Sequence, residues 1–131
     1  MRRGFFFLLF IWLLVLAACD TFSTSPKEPE KPTANLVLDG DLIKTMTSYG
    51  CPQFEGYVKN IGKTTGYNCM VEISCYSDSG KTTIIDSAKG FPADLGDIPV
   101  GVRAKFDAVA FKCTSHDQIK ATTVKITWLD R

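Results

Sequence analysis

Tyr67 to Tyr76 is the segment that most limits what this chain can become. Over these ten residues Cys69, Val71, Ile73 and Cys75 alternate with Met70, Glu72, Ser74 and Tyr76. A period of two puts the first set on one face of a strand and the second on the other, which predicts a half-buried strand packed on one side. Between Leu36 and Leu129 no segment of eleven or more residues carries helical apolar spacing. Instead, β-branched and aromatic residues gather in short runs separated by Gly, Asn, Asp and Pro. Leu36-Val37-Leu38 and Leu42-Ile43 predict a first strand broken at Asp39-Gly40. Gln53 to Asn60 follows, with Phe54, Gly56 and Val58 on one side. Ser77 to Gly80 reads as a turn, Lys81 to Ser87 as a strand, and Gly90 to Gly101 as a long polar connection. Arg103 to Cys113 and Thr122 to Leu129 complete the set, the last with Val124, Ile126 and Trp128 on one face. About seven short strands separated by turns predict an all-β fold, an immunoglobulin-like antiparallel sandwich over 36–131.

The N-terminus predicts an address. Arg2 and Arg3 precede fourteen apolar residues, Phe5 to Ala18, which end at Cys19. A spanning helix needs about 20 apolar residues, so this run fits the apolar region of a signal peptide over 1–18. Leu16-Ala17-Ala18-Cys19 resembles the lipobox of bacterial lipoproteins. That resemblance implies cleavage before Cys19, acylation of Cys19 with chains such as palmitate, and attachment to a membrane of the cell envelope outside the cytoplasm. Asp20 after the acylated position implies inner-membrane retention in cells with two membranes. Two or more acyl chains, at about 0.8 kcal/mol per buried methylene, tether a protein stably to one leaflet.

Residues 19–35 predict a linker, because Pro26, Pro29 and Pro32 alternate with Lys27, Glu28, Glu30 and Lys31. Proline at every third position favours an extended spacer of about 3.1 Å per residue. The chain of 131 residues allows one domain, and 15 basic against 14 acidic residues give a net charge of +1. A nucleic-acid partner, which needs a strong basic excess, is not expected.

Five cysteines are odd for a secreted chain, but with Cys19 acylated, Cys51, Cys69, Cys75 and Cys113 form an even set. Cys69 and Cys75 are six residues apart on one strand, roughly 20 Å at ~3.3 Å per residue, too far for the Cα separation of about 7 Å a disulfide tolerates. Two pairings remain. If the strand after Cys51 and the strand at Arg103 to Cys113 both run antiparallel to Tyr67–Tyr76, the expected bonds are Cys51–Cys75 and Cys69–Cys113. A metal site is not expected, since there is no C-x-x-C and His116 is the one histidine.

Gly56-Tyr57-Val58-Lys59-Asn60, the run from Val71 to Gly80, Ile98-Pro99-Val100-Gly101 and Ala104-Lys105-Phe106 occur in an order that resembles the FxLYD domain. This is a small immunoglobulin-like module of bacterial envelope lipoproteins, and the likeness covers about residues 50 to 112. Ile73 and Cys75 stand where the name-giving Phe and Leu would be. The resemblance implies no catalytic residues and a role in interaction or spacing at the cell surface. Physical chemistry gives the same residues structural work. Asn60 suits a strand end where its side chain bonds backbone in the left-handed region, and Gly80 and Gly101 suit turns with positive φ.

Candidate chemistry is sparse. Thr114-Ser115-His116-Asp117-Gln118 superficially resembles a hydrolase triad, but adjacent loop residues point in different directions, and His116 reads as a solvated loop histidine. Asp39 with Asp41, and Asp94 with Asp97, read as turn residues rather than calcium ligands. Tyr49, Tyr57, Tyr67, Tyr76 and Trp128 are the candidates for recognition, because amphipathic aromatics dominate interface hot spots. Tyr57 and Tyr76 are the chosen binding residues. The expected function is a lipid-anchored, non-catalytic envelope module that binds a protein partner or plays a structural part, without a cofactor. A small-ligand or glycan binder is the alternative, and a hydrolase using His116 the third reading.

Overall fold

Alternation along the chain becomes two faces of two sheets. In the computed structural model residues 29–131 are described, and Lys31–Arg131 forms a unit separate from Met1–Glu30. The expectations for the signal peptide at 1–18, for Cys19 and Asp20, and for most of the linker lie outside the described residues. Strands β1 (Leu36–Leu38), β2 (Ile43–Met46), β3 (Pro52–Asn60), β4 (Tyr67–Tyr76), β5 (Ile84–Gly90), β6 (Arg103–Val109) and β7 (Ala121–Leu129) follow in order. The fold is all-β, with these seven strands in two antiparallel sheets. In the first sheet β1 and β2 both pair with β3, as one strand interrupted at Asp39–Leu42, and β6 pairs with β3 as well. The second sheet runs β5-β4-β7.

The core is where the inward sets meet. Phe54 and Val58 of β3 and Phe106 and Ala108 of β6 join Val71, Ile73 and Ala88 of the other sheet, all buried. Val124, Ile126 and Trp128 pack against this cluster from β7. Full burial of one such large apolar side chain contributes about 1.5–3 kcal/mol.

Three expected features differ. The strand expected at Lys81 to Ser87 begins at Ile84 and runs to Gly90. Asp78 is the reason: its carboxylate accepts the Thr82 N–H at 3.0 Å and the Thr83 N–H at 2.8 Å, which keeps those residues in the turn. These backbone hydrogen bonds, that of Thr82 first, hold the Asp78 carboxyl below its ordinary range. The positive φ in this turn falls on Lys81 (58°) rather than Gly80, whereas Gly101 has the expected left-handed conformation at 77°. Secondly, the run expected as a strand to Cys113 stops at Val109. Cys113 N–H donates to the Ala110 carbonyl at 3.3 Å and folds the chain into a turn. Thirdly, β3 and β4 do not form a hairpin, and β6 pairs with β3 instead of β4. Alternation marks a buried face equally well whichever strand lies beside it.

Asn60 is fully buried and organises the end of the sandwich away from Cys51, without a positive φ. Its Nδ2 donates to the carbonyls of Ile98 and Thr64, both at 2.8 Å. Its Oδ1 accepts the N–H of Gly62 at 2.9 Å and of Asn35 at 3.3 Å. The fold therefore includes the last residues assigned to the linker. Ala34 is buried and donates its N–H to Asp130 at 2.8 Å, and Thr33 and Asn35 accept N–H groups from Lys63 and Ile61.

Candidate functional site

Two turns at the opposite end carry the most exposed aromatic residues among those described. Between β2 and β3, Thr47 N–H donates to the Cys51 carbonyl at 2.9 Å, and Cys51 N–H donates back to Thr47 Oγ1 at 2.9 Å. Gly50, at φ 84°, closes this turn with Tyr49 at its tip. The second turn follows β6. Ala110 N–H donates to the Pro52 carbonyl at 2.9 Å, which ties the Ala110–Cys113 turn to the start of β3 and presents Phe111. The Tyr49 and Phe111 rings lie 3° from parallel with centroids 6.3 Å apart. They are 64% and 70% exposed, and Met46 beside the first turn is 48% exposed. Parallel displaced rings at this spacing attract one another, so the turns hold a pre-formed apolar platform.

His116 supports the same end. Its Nε2 donates to the Thr45 carbonyl at 2.7 Å, and its ring meets Phe54 edge-on at 5.3 Å. It is a half-buried brace between the last loop and β2, not the solvated loop residue expected. Its neighbours are also occupied. Ser115 Oγ accepts the Asp117 N–H at 3.1 Å, and the Gln118 side chain accepts the Ser115 N–H at 3.2 Å, a reciprocal cap on the short 3-10 turn His116–Gln118.

Tyr57 and Tyr76 occupy outward faces of different sheets and each has an intramolecular partner. The Arg103 guanidinium lies 3.7 Å above the Tyr57 ring, while Arg103 Nε pairs with Asp39 at 2.6 Å. Tyr76 Oη is 3.3 Å from Thr123 Oγ1. The structure thus does not bring these two tyrosines together. The aromatic pair it does bring together includes Phe111, which lies beyond the end of β6 in the run expected as a strand to Cys113.

No disulfide joins the four described cysteines, Cys51, Cys69, Cys75 and Cys113. Cys51 is half-buried at the base of the first turn, and Cys113 is buried at the end of the second. Cys75 is buried at the end of β4, opposite Asp86 of β5. Asp86, 6% exposed, accepts the Ser87 N–H at 2.8 Å and the Lys112 N–H at 2.7 Å. Burial pushes the Cys75 thiol up to about 11, and the nearby Cys113 and Asp86 charges push the same way. Cys113 is raised by burial first, then by Asp86 and Cys51. Cys69 is raised to about 11 by burial, away from this group. The strand pairings on which the Cys51–Cys75 and Cys69–Cys113 expectations rested are absent, since β3 does not pair with β4 and β6 pairs with β3; the bonds from Ala110 and Lys112 set the turn that ends at Cys113 beside Pro52 and Asp86.

An open groove of about 480 Å³ borders β6, lined by Phe91, Ala93, Asp94 and Ala104 to Asp107. Its one cation, Lys105, is engaged by Glu55 at 2.8 Å and Asp107 at 3.6 Å. Among the described residues no group of three or more His, Cys, Asp or Glu is disposed to hold a metal ion, and no helix is long and apolar enough to cross a membrane. Comparison of the chain with family models, curated proteins and solved structures yields no match.

Proposed function

We propose that this chain is a lipid-anchored lipoprotein of the bacterial cell envelope, FxLYD-like in its folded part, and that it acts as a non-catalytic protein-binding module. The observation that carries the binding role is the Tyr49–Phe111 platform, two large rings held parallel and exposed by turns with internal hydrogen bonds. Exposed aromatics held rigidly lose little conformational freedom on binding, which makes them effective interface anchors. The apolar run ending at Cys19 and the proline-spaced segment after it support the placement, as an anchor and a spacer. A glycan or other small ligand is the second reading, favoured by the 3° parallelism, since a flat apolar surface also stacks on a sugar ring.

Photo-cross-linking in intact cells tests the binding role. A photoreactive residue at Phe111 is expected to capture a defined envelope protein, and Tyr49→Ala is expected to weaken that capture several-fold. The same probe at Val100, 52% exposed at the other end of the sandwich, is expected to capture nothing comparable. Identical patterns at both positions, or none at Phe111, would remove the platform as the contact surface. All three exposed substitutions are expected to change stability by about 0.5 kcal/mol or less.

A further inference from the structure

We propose that Cys51, Cys113 and Cys75 form a thiol–disulfide exchange site, in which an external disulfide reacts at Cys51 and the bond passes through Cys113 to Cys75. The backbone sets this order. Pro52, next to Cys51, accepts the Ala110 N–H, and Asp86, opposite Cys75, accepts the Lys112 N–H. Cys113 is thereby held between the start of β3 and the end of β4. Exposure falls along the same path, from half-buried Cys51 to Cys113 at 2% and Cys75 at 0%.

Each step balances as a thiolate displacement. The Cys51 thiolate attacks the external disulfide, forms a mixed disulfide and releases one thiolate. Cys113, after giving its proton to solvent, attacks the Cys51 sulfur and releases the second external thiolate. Cys75 then attacks the Cys113 sulfur as its proton passes to the departing Cys51 sulfur, and Cys51 leaves as a thiol. Two protein thiols are oxidised and one external disulfide is reduced to two thiols. Reaction rates follow thiolate fraction and access, so the buried thiols, raised in pKa, react from within and not directly with a bulky oxidant. Once formed, the Cys75–Cys113 bond is neutral, buried and shielded from reductants. Cys69 has no place in this relay, because six residues of strand, roughly 20 Å at ~3.3 Å per residue, separate it from Cys75.

The test uses the full-length chain in detergent, with Cys19→Ser, reduced and then exposed to oxidised glutathione. Timed alkylation and peptide mapping read the bonds, and circular dichroism confirms that each variant is folded. The native thiol set is expected to end with Cys75 joined to Cys113, and with Cys51 and Cys69 free. Cys51→Ala is expected to slow that bond at least about tenfold, because the accessible entry thiol is gone. Cys75→Ala is expected to stop at a Cys51–Cys113 bond. Cys113→Ala, or Cys113→Ser if the alanine variant does not fold, is expected to stop at a glutathione adduct on Cys51. A bond to Cys69 in the folded chain, an unchanged rate in Cys51→Ala, or no internal bond would each overturn the proposal.

Discussion

Asn60→Ala is expected to lower stability by about 3–5 kcal/mol, because it removes a fully buried side chain that partners several backbone groups at once. The amide bonds four of them, on Asn35, Gly62, Thr64 and Ile98. Alanine fills the volume incompletely and answers none. Ile98 keeps one further bond, from Gly66 N–H at 3.1 Å, so the loss there is partial. In a domain of about 100 residues each kcal/mol moves the midpoint by roughly 4–8 °C, so thermal unfolding should fall by well over 10 °C. Asn60→Asp separates packing from hydrogen bonding. It keeps the acceptor for Gly62 and Asn35 but turns an oxygen toward the two carbonyls. Near neutral pH it should be at least as damaging as alanine, and the damage should lessen in acid, where a protonated carboxyl again donates. A midpoint within 2–3 °C of the native protein for both variants would show that Asn60 does not organise this end.

Phe54→Ala is expected to cost about 3–5 kcal/mol through lost burial and the cavity left between the sheets. Phe54 is fully buried, and its ring also supports His116, whose Nε2 holds the last loop to β2. The substitution should therefore loosen the loop as well as the core. Urea titration should show a lower midpoint with a similar slope, and the His116 ring resonances should shift. A loss below about 1 kcal/mol would contradict the packing described, since even small core deletions commonly cost that much.

Much of the fold is legible in the sequence because alternation is written residue by residue. Cys69, Val71, Ile73 and Cys75 face inward as a period of two requires, and β4 has the expected bounds. Asp39-Gly40 interrupts the first strand, and both halves still pair with β3. What alternation cannot encode is which strand lies beside which. The assumption that β3 and β4 form a hairpin fails for that reason, and with it the argument that placed Cys51 near Cys75; the argument that placed Cys113 near Cys69 fails because β6 pairs with β3 and not with β4. The importance of Asn60 was only half visible. A strand-ending asparagine is legible, but its bond to Ile98 spans 38 residues. Phe111 was concealed by a run read as continuous strand to Cys113. One signal pointed outward: with Phe106, Ala108 and Ala110 facing the core, the next odd-numbered position must face away. Tyr49 stood among the recognition candidates, yet nothing local joins it to Phe111, because the link is the Ala110 to Pro52 hydrogen bond.

The acylated anchor is the premise on which the envelope role depends, and the mass of the natural protein tests it most directly. The protein should be recovered from the membrane fraction of its own cells, and its N-terminal peptide sequenced by mass spectrometry. The expected result is a mature chain that begins at Cys19 and carries the added mass of a diacylglyceryl group on that residue. A mature chain that begins elsewhere, or a Cys19 without acyl mass in the soluble fraction, would contradict it.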